Sequence, residues 1–229
     1  MKYNDYEMNR LIYEDGRKYD KRTFIQYYLS LLKTRHILLM SFNTKDYNSL
    51  VIKISLFFFS FSLYYTINAL FFTDKTMHNI LISDKKYDFI YQLPKIFYSN
   101  LISTVINCLI LYLSLSEKTI IDIKNRINKK NYGKLFTELK KTLFIRFIIF
   151  YLFYLIFLLF FWFYVSCFCV VYKNTQIYLI KDTLISFGLS LIYPFGYYLL
   201  PGIFRIPALK DKKGSKKSLY TFSQLLQSI

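Results

Sequence analysis

The stretch FIIFYLFYLIFLLFFWFYV, from Phe147 to Val165, decides the fold: 15 of its 19 residues are Leu, Ile, Phe or Val, and none is charged. At roughly −0.3 to −0.6 kcal/mol each near the centre of a membrane helix, these side chains favour insertion by about 5 to 9 kcal/mol. The uncharged interval continues beyond Val165 and, between Arg146 and Lys173, holds 26 residues. Three others accompany it: Lys53 to Asp74, Lys95 to Glu117 and Asp182 to Arg205 enclose 20, 21 and 22 uncharged residues. About 20 apolar residues cross a bilayer, so the chain predicts spans over about 53–72, 96–116, 146–172 and 177–200. A water-soluble protein would have to bury all four in one core. The composition points the same way, with 54% hydrophobic residues and 23 Tyr and 24 Phe among 229, well above globular usage.

The charge pattern orients these spans. A net charge of +17 would ordinarily suggest nucleic-acid binding. Here, however, Lys and Arg alternate in density between loops: ten in 1–53, four in 74–95, nine in 117–146, two in 173–182 and six in 205–217. That alternation follows the positive-inside rule for four spans with both termini cytoplasmic. The expected partners are therefore the lipid bilayer and anionic headgroups rather than nucleic acid. Arg205, Lys210, Lys212, Lys213, Lys216 and Lys217 are the candidate anionic-lipid contacts. The opening MKYNDYEMNRLIYEDGRKYDKR is polar, so insertion is expected to be directed by the first span and not by a cleavable signal.

Outside the spans the chain predicts three further pieces. Residues 1–19 read as a polar leader. From Asp20 to Phe42, Phe24, Tyr28, Leu31, Leu32 and Leu39 share one helical side, which predicts an interfacial helix lying on the membrane. Between spans 2 and 3, Ser114 and Glu117 have capping-box spacing, Ile120, Ile123 and Ile127 repeat at helical intervals, and Asn131-Tyr132-Gly133 reads as a turn. A cytoplasmic helical hairpin continuing into span 3 follows. The organisation is thus a leader and interfacial helix over 1–49, a four-helix transmembrane domain over 50–204 and a basic tail over 205–229, an all-α integral membrane protein. Lys53 is expected to snorkel to headgroups. Pro194 is expected to kink span 4, Pro201-Gly202 to end it, and Pro207 to keep the exit from coiling again.

Catalytic patterns are absent: no HExxH, Walker, Rossmann or nucleophile-elbow motif occurs, and no cofactor is implied. His36 and His78 fall on opposite sides of the predicted membrane. Cys167 and Cys169 lie about 200° apart around a helix and do not converge on a metal. Two polar helix faces remain. Asn100, Ser103, Thr104 and Asn107 form a stripe on span 2; Asp182, Ser186 and Ser190 form another on span 4, with Gly188 expected to ease close approach. Such side chains commonly join membrane helices by hydrogen bonds.

The strings DKRTFIQYYLSLLKTRH (20–36), LFFFSFSLYYTINALFFTDKTMH (56–78) and YPFGYYLLPGIFRIPALK (193–210) resemble a family of uncharacterised multi-pass membrane proteins encoded by AT-rich protist genomes. The resemblance implies a membrane architecture and carries no activity. The expected function is that of a non-enzymatic multi-pass membrane protein, an anchor or an assembly component of a homo- or hetero-oligomer, working through its polar helix faces and basic cytoplasmic segments. The alternative is a channel or transporter subunit with a polar path along span 2 at Asn100, Thr104 and Asn107.

Overall fold

The run Phe147–Val165 lies inside α9 (Tyr132–Val171), a helix of 40 residues. This computed structural model describes residues 3–82, 89–126, 132–173, 176–211 and 214–228. Among these residues every regular element is helical: α1 (Asp5–Arg10), α2 (Tyr13–Tyr19), α3 (Phe24–Arg35), α4 (Ile37–Phe42), α5 (Leu50–Leu70), α6 (Asp74–Ile82), α7 (Phe89–Ser114), α8 (Glu117–Arg126), α9, α10 (Gln176–Tyr197), α11 (Leu199–Lys210) and α12 (Lys217–Ser228). Four stretches are long and apolar enough to cross a membrane: Leu50–Leu70, Phe89–Ser114, Gly133–Val171 and Gln176–Lys210. The chain has the make-up of an all-α integral membrane protein with four spans.

The helices run through the charges that mark the ends of the uncharged intervals. α7 starts at Phe89 and carries Pro94 and Lys95 in its second turn. α9 begins well before Arg146 and, at 1.5 Å per residue, is about 60 Å long, twice the hydrocarbon thickness. Lys134, Glu138, Lys140 and Lys141 therefore belong to the same rod as the apolar span. Of the expected hairpin, α8 and the start of α9 are helical, whereas Ile127 and Asn131 lie outside the described residues. α8 opens at Glu117 itself, and the Ser114 hydroxyl donates to the Leu111 carbonyl at 3.3 Å, so the expected capping box does not form.

The chain divides into two units. One comprises 54–116 and 126–190. Its centre is α5, half of whose apolar window is buried, against 6% for α9. Phe57, Phe61 and Tyr64 recur at helical spacing and close on Phe187 of α10, with ring centroids 5.7, 5.3 and 5.6 Å away. All three meet it edge-on, as aromatic quadrupoles favour. Another side of α5 presents Phe59 to Tyr154 and Phe157 of α9 at 5.8 and 4.6 Å. The outer side of α9 leaves Leu159, Trp162 and Phe163 exposed, an apolar surface suited to lipid. Arg146 donates to the carbonyls of Tyr112 and Leu115, satisfying the last turn of α7.

The other unit comprises 1–53, 117–125 and 191–229. Its N-terminal segment forms α1 and α2 and packs within this unit. Asn4 with Glu7 and Thr23 with Gln26 form capping boxes that start α1 and α3, and Tyr6 and Tyr13 are buried. The expected interfacial helix breaks at His36 into α3 and α4. Its inner side, Tyr27 and Leu31 with Phe24, packs on Ile206 of α11, while Ile25, Leu29, Leu39 and Phe42 stay exposed. Two glycines permit close approach: a Cβ on Gly202 would lie 2.7 Å from the Phe24 ring, and one on Gly16 would lie 2.8 Å from the Tyr220 hydroxyl.

The proline-rich end of span 4 departs from expectation. α10 stays helical through Pro194, breaks at Tyr198, and resumes as α11 through Pro201 and Pro207. Pro201 falls in the first turn of α11, where a missing N–H forfeits no helical bond. Side chains use carbonyls beside Pro194. The Tyr28 hydroxyl donates to the Phe195 carbonyl at 3.0 Å, and His36 Nε2 lies 2.7 Å from that of Leu191. A carbonyl only accepts, so Nε2 carries the proton.

Candidate functional site

Two buried polar centres stand out, one in each unit. In the first unit, α7 places Lys95, Ser99, Ser103 and Asn107 four residues apart, on one face. α10 aligns Asp182 and Ser186 in the same way, and α5 aligns Ser60 and Asn68. These faces meet. Lys95 Nζ donates to the Asp182 carboxylate, the Ser186 hydroxyl donates to Asn68 Oδ1 at 3.3 Å, and Asn107 Nδ2 donates to Ser60 Oγ at 2.9 Å. Asp182 is fully buried, and the Lys95 ammonium also lies 4.7 Å from the centre of the Phe72 ring. Ser99, Ser103 and Thr183 bury hydroxyls, and Asn100 a carbonyl oxygen, with no partner among the described residues.

The predicted stripes are thereby relocated in part. Ser103, Asn107, Asp182 and Ser186 enter the seam, whereas Asn100 and Thr104 flank it, each half-buried. Ser190 turns to its own helix, donating to the Phe187 carbonyl at 2.6 Å. Gly188 faces open space, so its smallness serves no close packing here. Lys95, Ser99, Ser60 and Asn68 were not singled out from sequence. Lys95 read there as the boundary of span 2, and the four-residue repeat Lys95–Ser99–Ser103–Asn107 is the signal that could have found it and Ser99.

The second centre surrounds Arg205. This guanidinium is fully buried between the rings of Tyr27 and Tyr220, 5.0 and 4.6 Å from their centres. It donates to Asp20 Oδ2 at 3.0 and 3.2 Å and to the carbonyls of Met8 and Asn9 at 2.7 and 3.3 Å. Arg205 is therefore not placed to meet a lipid headgroup. Arg22 grips the same carboxylate with two bonds of 2.8 Å and donates to Asn9 and Ser30, each at 2.9 Å. Burial pushes the Tyr220 phenol up to about 12, so it stays a neutral donor, bonding the Leu11 carbonyl at 2.7 Å.

Lys53 is likewise withdrawn from any headgroup: it is buried, donates to Asp46 at 2.8 Å and also contacts the Asn43 carbonyl. Of the other predicted lipid contacts, Lys210, Lys216 and Lys217 are exposed, and Lys212 and Lys213 lie outside the described residues. Among the described residues, no three His, Cys, Asp or Glu side chains gather as metal ligands. Cys108, Cys167 and Cys169 are free thiols.

No protein-family model matches the chain, and no curated protein or solved structure is significantly similar to it. The functional reading therefore rests on residues and geometry.

Proposed function

We propose that the chain is a non-enzymatic multi-pass membrane protein that serves as an anchor or assembly component, with both termini cytoplasmic. The observation that carries this reading is the pairing of polar side chains across the seam: Lys95 with Asp182, Ser186 with Asn68, and Asn107 with Ser60. Groups bonded to one another hold helices together, each neutral bond at about 0.6 kcal/mol in a membrane. A transported species would need them free. The apolar outer side of α9 supplies contact with lipid or with a second membrane protein, and exposed Lys216 and Lys217 supply headgroup contacts.

A second reading, a channel or transporter subunit, is favoured by the unpartnered hydroxyls of Ser99, Ser103 and Thr183, which share helix faces or neighbour positions with the Lys95–Asp182 pair. Buried ionisable groups within spans commonly mark ion or proton routes. The double variant Asn100→Leu, Asn107→Leu separates the readings. Reconstituted vesicles are expected to show unchanged ion and solute flux, while the set of proteins co-purified from native membranes changes. Loss of a flux that the unmodified protein supports would overturn the assembly reading in favour of transport.

A further inference from the structure

Beside the Arg205 centre, the second unit opens a cleft of about 510 Å³ between α2, the 20–22 turn and α11, within the size range of small-molecule sites. Its cationic lining comes from Arg17, Lys18, Lys21, Arg22 and Lys210, against the carboxylates of Glu14, Asp20 and Asp211. Two of those carboxylates are already engaged. Asp20 lies between Arg22 and Arg205, and Asp211 Oδ2 accepts from Ser215 N and Oγ at 2.8 Å and from Lys216 N at 3.2 Å. The wall thus presents an excess of positive charge to whatever enters. Arg22 is held by Asp20, Asn9 and Ser30. Lys21 Nζ donates to the Arg17 carbonyl at 2.9 Å and the Lys18 ammonium lies 5.0 Å from the centre of the Tyr19 ring, while Lys18, Lys21 and Lys210 are all exposed to an entering ligand.

We infer that this cleft binds a ligand bearing more than one phosphate group. Ammonium groups on long stems suit phosphate oxygens, which accept from several directions. The volume exceeds what a single phosphate fills and fits a phosphorylated sugar or polyol. The largely charged lining, with apolar contributions only from Ile206 and Leu209, disfavours an apolar ligand. The same chemistry is offered by a soluble polyol phosphate and by a phosphorylated lipid headgroup. This inference is independent of whether the other unit assembles or transports.

The test is binding by full-length protein in lipid nanodiscs, with two probes: soluble inositol trisphosphate, and phosphatidylcholine vesicles carrying phosphatidylinositol bisphosphate. The variant Lys18→Gln, Lys210→Gln is compared with Lys33→Gln, Lys45→Gln, which removes equal charge from exposed positions outside the cleft. The cleft variant is expected to bind about thirtyfold more weakly, about 2 kcal/mol at tenfold per 1.4 kcal/mol, and the control variant as the unmodified protein does. Weakening seen with the soluble probe supports the site and includes free ligands among its sources; weakening confined to vesicles supports it with a lipid source. Equal weakening in both variants would reduce the attraction to diffuse charge and overturn the inference. So would absence of binding to either probe.

Discussion

Asp20→Ala is expected to destabilise the unit that contains it by about 3 to 5 kcal/mol, the cost of leaving buried charge uncompensated. Arg205 is fully buried, and the Arg22 side chain is 11% exposed, so neither guanidinium recovers water when the carboxylate is removed. Thermal unfolding of purified protein, followed by circular dichroism, should show an earlier transition. The effect carries a pH signature. Burial by itself would lift the Asp20 carboxyl, but hydrogen bonds and charge from Arg22, then Arg205, outweigh it and hold the group below its ordinary value. A carboxyl depressed on folding stabilises the fold fully above its unfolded value of about 3.9, and that contribution fades as pH falls through the lower folded value. The gap between variant and unmodified protein should therefore be widest near neutrality and shrink below about pH 4. A gap that stays constant across that range would show that lost packing, not charge, was responsible.

The second large effect concerns the seam. Asp182→Leu leaves the Lys95 ammonium buried without its carboxylate, at a cost of about 3 to 5 kcal/mol. The double variant Lys95→Met, Asp182→Leu should recover most of it, since apolar replacement of a buried ion pair is often neutral. Strong non-additivity between the two sites, measured by unfolding in mixed detergent, is the expected result. Additive losses would mean that the two residues stabilise the bundle through separate contacts.

The spans were legible in the sequence because hydrocarbon imposes a long, uncharged run on each crossing helix. That signal is local. The polar seam was only half legible, because its strongest contact joins Lys95 to Asp182, 87 residues apart. Periodicity places a residue on a face of its own helix but does not say which other helix meets that face. Arg205 and Asp20, 185 residues apart, were hidden for the same reason. Read locally, Arg205 followed an apolar helix and preceded five lysines, the pattern of a headgroup contact. The course of α11 was misread because Pro201-Gly202 is a strong local stop signal. Its tertiary packing on Phe24, Tyr27 and Leu31 of α3 and on α12 outweighs that signal.

Cys108 gives the most direct test of whether lipid solvates these helices. Its side chain is exposed on α7, six positions before the helix ends at Ser114, or about 9 Å along the axis. In membranes containing the Cys167→Ser, Cys169→Ser protein, a charged, membrane-impermeant maleimide applied to both faces should leave Cys108 unmodified until the bilayer is dissolved and the chain denatured. Rapid labelling in intact membranes would put water where the account puts hydrocarbon, and would contradict it.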